Sequence, residues 1–393
     1  MTNSNQPLAK RVLETPSSAT VSIADMASAM RRQGIDIIDF SAGRAAEPSP
    51  DYINQAAAQA LLSGDTHQTP AQGKPEYREN IVRKLERDNH LEVDPNDNVM
   101  ATLGCKNGLI LALMATINAG DEVIVEDPCF VSYGATIGFF GGRTVPVPLR
   151  TENDFRWKRD ELEKAVTHRT RCILISSPQN PTGTVYTEDD LDMIAAISKK
   201  HNLWVISDEI YERVTWGGRR HICIASRPGM KNRSIGLMGF TKTFSMGGWR
   251  IGFMYAPKPI IQSAVVFQQH LMTCTGSFTQ VGATFALSEA YRPEVLELWK
   301  DWEKRCGYVT EEINKIPKLS CRMPEGGFYA WIDIRDTGET SSDFCERMLK
   351  EQHVALVPGD PFGPSGEGYV RMTCVKSWED LKKGLGSIRK GLS

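Results

Sequence analysis

The sequence predicts an α/β protein in which a mostly parallel sheet flanked by helices precedes a smaller α+β unit. Three observations carry this reading. From residue 121 short apolar runs alternate with helical patterns, the polar residues of most chemical interest fall just past the ends of those runs, and a long helical region near Thr279–Ile316 gives way to further short strands. A chain of 393 residues, 41% hydrophobic and 24% charged, is also large enough to bury an extensive core and divide into two or more packed units.

In chain order, a polar arm, Met1–Lys10, lacks the apolar core of a signal segment and leads to a helical pattern, Ile23–Gln33, closed by Gly34. The apolar run Ile35–Phe40 reads as a strand entering Ser41-Ala42-Gly43-Arg44. The alanine-rich segment Asp51–Leu62 and the one-sidedly charged segment Pro75–Asn89 read as helices, separated by a loop with Pro70 and Gly73. Gly104-Cys105-Lys106-Asn107-Gly108 then opens an apolar helix over Leu109–Ile117, and a glycine-rich turn at that place aims backbone N–H groups and the positive end of the helix dipole at an anion.

Strands are predicted at Glu122–Glu126, Thr144–Val147, Cys172–Ser176, Leu203–Ser207 and Ile235–Met238. Helices are predicted at Tyr133–Phe140, Arg159–Ala165, Glu188–His201 and Pro259–Gln269. The last unit has strands at Phe328–Asp333, Val354–Val357 and Tyr369–Thr373.

Composition excludes several functions. Net charge is −2 and basic residues form no run longer than a pair, so neither nucleic acid nor a membrane surface has electrostatic support as a partner. The apolar tract Leu109–Met114 is far too short to span a bilayer, and a cytoplasmic location is expected. Nine cysteines without a Cys-x-x-Cys pair, and seven histidines without ligand spacing, point to reduced thiols and no metal site.

The chemistry concentrates in Gly239-Phe240-Thr241-Lys242 and the following Gly248-Trp249-Arg250-Ile251-Gly252. A lysine among small and apolar residues loses its proton more readily than an exposed one, and a neutral amine forms a Schiff base with an aldehyde. The planar fork of an arginine suits a phosphate. Pyridoxal 5′-phosphate (PLP) carries both groups. Asn180, in the tight loop Ser177-Pro178-Gln179-Asn180-Pro181-Thr182-Gly183, suits a phenolate oxygen, which Tyr211 of Ser207-Asp208-Glu209-Ile210-Tyr211 can share. Asp208, placed after an apolar strand, suits a pyridine nitrogen that must stay protonated. Singly, each has an ordinary explanation as turn, cap or core residue; the ordered set is much more specific.

With Gly368-Tyr369-Val370-Arg371 added, these stretches resemble the class I/II aminotransferases, the fold-type-I PLP enzymes, over nearly the whole chain. The resemblance implies a seven-stranded-type sheet in a large PLP-binding domain over residues 51–285, and a small domain built from residues 1–50, with its N-terminal arm, and 286–393. It implies that Lys242 carries the cofactor and later acts as general base, with Asp208 and Tyr211 as its catalytic partners. Gly104, Cys105, Lys106, Thr241 and Arg250 would hold the phosphate, Phe130 would stack on the ring, and Asn180 and Tyr211 would contact its hydroxyl. Arg371 would clamp the substrate α-carboxylate, aided by the Gly43 backbone and Asn180. The implied reaction passes the amino group of a free α-amino acid to a 2-oxo acid, in a homodimer.

Two departures bear on this. Gln68 stands where relatives usually place a tyrosine that reaches the partner's cofactor, and Arg44 occupies an altered mouth beside Glu14 and Glu47, either sign of which would select a different side chain. The altered mouth keeps open a lyase or cyclase that eliminates at Cβ or Cγ, for example on a hydroxylated arginine. A PLP-binding regulator is a third class, disfavoured because the chain has no room for a DNA-binding segment.

Overall fold

The structure, a computed structural model, describes residues 19–287 and 291–392 together with Ala9 and Thr15. Its first elements are helix α1 (Ala19–Arg32), strand β1 (Ile38–Asp39) and helices α2 (Asp51–Leu62) and α3 (Pro75–Asn89). Strand β2 (Val99–Thr102) leads into α4 (Cys105–Thr116), and β3 (Glu122–Asp127) into α5 (Ser132–Phe139). Next come β4 (Arg143–Pro148), α6 (Arg159–Ala165), β5 (Thr170–Ser176), α7 (Glu188–Lys200), β6 (Trp204–Asp208), β7 (Ser234–Gly239) and β8 (Gly252–Tyr255). Helices α8 (Lys258–Leu271), α9 (Ser277–Ala286) and α10 (Pro293–Ile313) precede β9 (Ser320–Cys321), β10 (Tyr329–Asp333) and α11 (Ser341–Gln352). The chain closes with β11 (Val354–Ala355), β12 (Val357–Pro358), β13 (Tyr369–Thr373) and α12 (Trp378–Lys390).

Seven strands form one sheet in the order β2-β8-β7-β6-β5-β3-β4, parallel throughout except at the two pairings made by β8. Since β2 and β7 both run against β8, β2 shares the direction of the rest. The chain therefore leaves β2, β3, β5, β6 and β7 at one edge, where ligands of open α/β sheets bind. Burial on both faces explains the unbroken apolar runs. In β5, Cys172 and Leu174 pack with Leu109, Leu113 and Ile260 on one side, while Ile173 and Ile175 pack with Trp157, Leu191 and Ile194 on the other.

A second sheet, β12-β13-β10-β9, is antiparallel and rests on α10, α11 and α12 through Trp302, Phe344, Met348 and Leu385. Caps explain several helix starts. Thr187 and Asp190 form a reciprocal capping box on α7, and Thr340 and Ser377 accept from the first turns of α11 and α12.

The differences from expectation have local causes. Strands β2 and β8 were not expected, being only four residues each and bordered by the glycine-rich turns at Gly104 and Gly248. The predicted strand Ile35–Phe40 shrinks to Ile38–Asp39, paired in parallel with Val354–Ala355. The predicted strand Val354–Val357 splits, its second part joining the four-stranded sheet through Val357 and Pro358. The long helical region is two helices, with Pro293 opening the second because its fixed φ and missing N–H suit a first turn and not an interior.

Candidate active site

The common strand edge bounds a cavity of about 390 Å³. Lys242 reaches it from just beyond β7, Asp208 is the last residue of β6, and Asn180 lies in the loop after β5. Cys105 and Lys106 enter on the first turn of α4, and Phe130 follows β3. Arg371 comes from β13 of the other sheet, and Gly43, Tyr211, Thr241 and Arg250 complete the expected set around the same space. Gly104 lies behind the wall, where a β-carbon would stand 3.2 Å from Arg250 Nη2; only a glycine at its φ of 77° leaves the guanidinium beside the start of α4. Arg250 itself holds a left-handed φ of 52°, a conformation that costs about 1–3 kcal/mol and persists where packing enforces it. It donates to Gly247 O at 2.9 Å and Leu103 O at 3.1 Å.

Lys242 is half-buried, and its Nζ donates to the carbonyl of Gly43 at 2.6 Å. A β-carbon at Gly43 would overlap the Tyr329 hydroxyl and come within 3.2 Å of that amine, so the close approach requires glycine. Asp208 accepts from Tyr133 Oη at 2.9 Å and from Ile210 N at 3.3 Å. Burial outweighs these donors and lifts its carboxyl to about 6. Burial also pushes Lys106 downward, helped by the charges of Arg250 and Lys242, while its amine lies 5.3 Å from the ring centre of Phe130. The Cys105 thiol is pushed well up by burial and by Asp208, which keeps it protonated.

Arg371 is buried, donating from Nη1 to Asn180 Oδ1 and from Nη2 to Ser41 O, both at 3.0 Å. Its Nε has no partner among the described residues. Two tyrosines not singled out from sequence belong to the site. Tyr133 touches Asp208, and Tyr329 lies 2.9 Å from the Tyr211 hydroxyl with its ring 4.2 Å beneath the Arg371 guanidinium. Tyr133 opens the helix predicted over Tyr133–Phe140, three residues past Phe130, and Tyr329 follows a Gly-Gly-Phe turn; neither position carries a sequence signal beyond a buried aromatic.

Behind the cavity, Glu126, the next-to-last residue of β3, is fully buried, accepting from Tyr186 Oη at 2.6 Å and from Ser176 N at 3.2 Å. Burial raises it to about 8. Gln179 donates to Pro128 O at 2.6 Å and accepts from Thr182 N at 2.8 Å, which ties the Asn180 loop to the start of the Phe130 segment.

The residues of the expected mouth do not gather there. Glu47 is engaged by Arg305 at 2.6 Å and by the Trp302 indole at 3.3 Å, so its charge is committed to α10 and is not offered to a substrate. Arg44 is exposed and does not line the cavity, and Glu14 lies outside the described residues. Gln68 is exposed on the loop after α2, away from this chain's own cavity.

A half-buried lysine, a buried carboxyl at a strand end, a phenol pair and two arginines thus surround one cavity. Residues 35–388 match the family model "Aminotransferase class I and II". The chain is 41% identical over 369 residues to an aspartate aminotransferase of Pyrococcus abyssi, covering 94% of each, and 39% identical over 362 residues to aromatic-amino-acid aminotransferase 2 of Thermococcus litoralis, covering 92% of this chain and 93% of that one. Its fold superposes on the Thermus thermophilus aspartate aminotransferase solved with maleate at a TM-score of 0.94, with 32% identity, 98% of this chain and 100% of that chain covered. The chain belongs to the class I and II aminotransferases, PLP-dependent transferases of fold type I. These relatives are all named as aminotransferases, which leaves the elimination and cyclisation reading without support.

Proposed function

We propose that the cavity takes up PLP on Lys242 and a free α-amino acid beside it, and that the residues expected from sequence hold both. The carrying observation is that Lys242, Asp208, Asn180, Tyr211, Arg250 and Arg371, drawn from segments up to 191 positions apart, border one cavity. The residues fit the cofactor. The Gly104 turn leaves Arg250 beside the N-terminus of α4 for a phosphate, Asp208 can face a ring nitrogen, and the unpartnered Nε of the buried Arg371 awaits an acceptor.

When bound, PLP supplies an aldehyde for imine exchange with an amine and a ring that accepts electrons as the Cα–H bond breaks. Asp208, as a carboxylate, holds the ring nitrogen protonated. Tyr211 and the Asn180 amide donate to the ring oxygen, and since Asn180 Oδ1 already accepts from Arg371, its NH2 group is the part left to face the ligand. Arg371 would grip the α-carboxylate, and the Lys242 amine would take the α-proton and give it up at the carbon of the cofactor's aldehyde. Phe130 covers the ring face and limits water. The acidic and aromatic amino acids named for the relatives are the first substrates to test.

A homodimer belongs to the same reading. Leu62, 86% exposed at the end of α2, and the neighbouring Leu61 support an apolar contact there, six positions before Gln68 in the chain. The parallel pairing of β1 with β11 supports a small domain that joins residues 1–50 to 286–393. Among the described residues no helix is long and apolar enough to cross a membrane, and a cytoplasmic location accompanies the proposal. Single turnover with aspartate or phenylalanine and no 2-oxo acid tests the function: pyridoxamine phosphate and the matching 2-oxo acid must appear, and continued turnover with retained PLP would refute it.

A further inference from the structure

We infer that Tyr329 is a positioning residue for Tyr211: its hydroxyl donates to the Tyr211 oxygen and so turns the Tyr211 proton toward the ligand in the cavity. The inference rests on the roles proposed for Lys242 and Tyr211. The two phenol oxygens are 2.9 Å apart, both side chains are buried, and the rings meet edge to face at 5.9 Å. Each phenol owns one proton, and one hydrogen bond joins the pair. One proton is therefore spent inside the pair, and the choice of donor decides whether Tyr211 can donate outward.

The surrounding charges make that choice. Lys242 from the end of β7 and Arg371 from β13 both face Tyr329; the guanidinium carbon lies 4.2 Å from its ring centre, and the hydroxyl and the lysine amine converge on the backbone of Gly43. Burial acts upward on Tyr329, but these two cations, together with its side-chain hydrogen bonds to Tyr211 and Lys242, outweigh it and leave the phenol below the ordinary tyrosine value; Arg371 keeps its charge when the Lys242 amine is bound to PLP. Tyr211 goes the other way, pushed well up by burial, by Tyr329 itself and by the Asp208 carboxylate, with Arg371 acting downward. In a neutral pair the more acidic hydroxyl is the better donor and the less acidic one the better acceptor, and a hydroxyl that accepts becomes a stronger donor in its turn.

Tyr329→Phe tests this, because it keeps the ring under Arg371 and removes the hydroxyl, which also meets Lys242, so that the double variant separates the two effects. In the PLP-loaded protein the pH midpoint of the visible band of the lysine-bound cofactor should rise by about 0.5–1 unit, since a weakened Tyr211 donor stabilises the deprotonated ring oxygen less. Tyr211→Phe should raise it at least as far, and the double variant should equal Tyr211→Phe alone, because Tyr329 acts only through Tyr211. An unchanged midpoint in Tyr329→Phe, a lowered one, or additive shifts in the double variant would overturn the inference; a lowered midpoint is what the reverse hydrogen bond produces. Absence of any visible band in the unsubstituted protein with PLP would instead refute the role of Lys242, and this inference with it.

Discussion

Arg371 and Asn180 stand 191 positions apart and share a hydrogen bond of 3.0 Å from guanidinium to amide oxygen, which joins the small antiparallel sheet to the loop after β5. The bond orients two groups at once, since it fixes the planar fork of the arginine and the direction of the amide donors.

Replacing Arg371 by Ala should therefore weaken every amino-acid substrate alike, by about 2–5 kcal/mol in kcat/KM, the usual cost of breaking a desolvated charge pair. Asn180→Asp should also impair binding, because a carboxylate there competes with the substrate's own for the guanidinium. Measuring kcat/KM for glutamate, an aliphatic amino acid and arginine checks both. A loss confined to one substrate would make Arg371 a side-chain selector.

Asp208→Ala should leave PLP attached and impair its use, lowering exchange of the substrate α-proton by ~10²-fold or more, as expected when a preorganised charge is removed. Tyr133→Phe should act in the same direction but less, since it removes one donor at 2.9 Å from Asp208 and lets burial raise the carboxyl further. Proton exchange followed by NMR gives the comparison, and undiminished exchange in Asp208→Ala would remove that residue from the chemistry.

Gly104→Ala should weaken cofactor binding through the phosphate. The added methyl group meets the Arg250 guanidinium at 3.2 Å and the backbone φ of 77° disfavours any β-carbon. Titrating cofactor-free protein with PLP and with pyridoxal separates the effect: the loss should appear for the phosphorylated ligand and be nearly absent for pyridoxal.

The buried Glu126 gives a stability prediction whose sign follows from linkage. Its carboxyl is raised by burial from 4.5 to about 8, so its favourable contribution is fully present below about 4.5 and lost as pH rises through 8. Glu126→Gln keeps the shape without the charge, and its melting temperature relative to the unsubstituted protein should climb steadily across that window in the cofactor-free state. A constant difference at every pH would mean that Glu126 titrates normally.

Much of the site was legible in the sequence because its chemistry sits at strand ends, where a run of apolar residues stops at a single polar one. Asp208, Asn180 and Lys242 each follow such a run. The strands missed, β2 and β8, are short and flanked by glycine, and pairing with each other and with β7 makes them strands where local pattern does not. Glu47 was read as a free charge at the mouth because nothing in the local sequence places Arg305 of α10 beside it. Tyr329 and Tyr133 were missed for the complementary reason, since a buried tyrosine in a strand or helix looks the same whether its hydroxyl faces a core or a cavity.

The central claim is that Lys242 is the residue that carries the cofactor. Reducing the PLP-loaded protein with borohydride and mapping the modified peptide by mass spectrometry addresses it directly. The pyridoxyl group should lie on Lys242, within Gly239–Arg250, and Lys242→Ala should yield no adduct; an adduct on Lys106 or any other lysine would contradict the account.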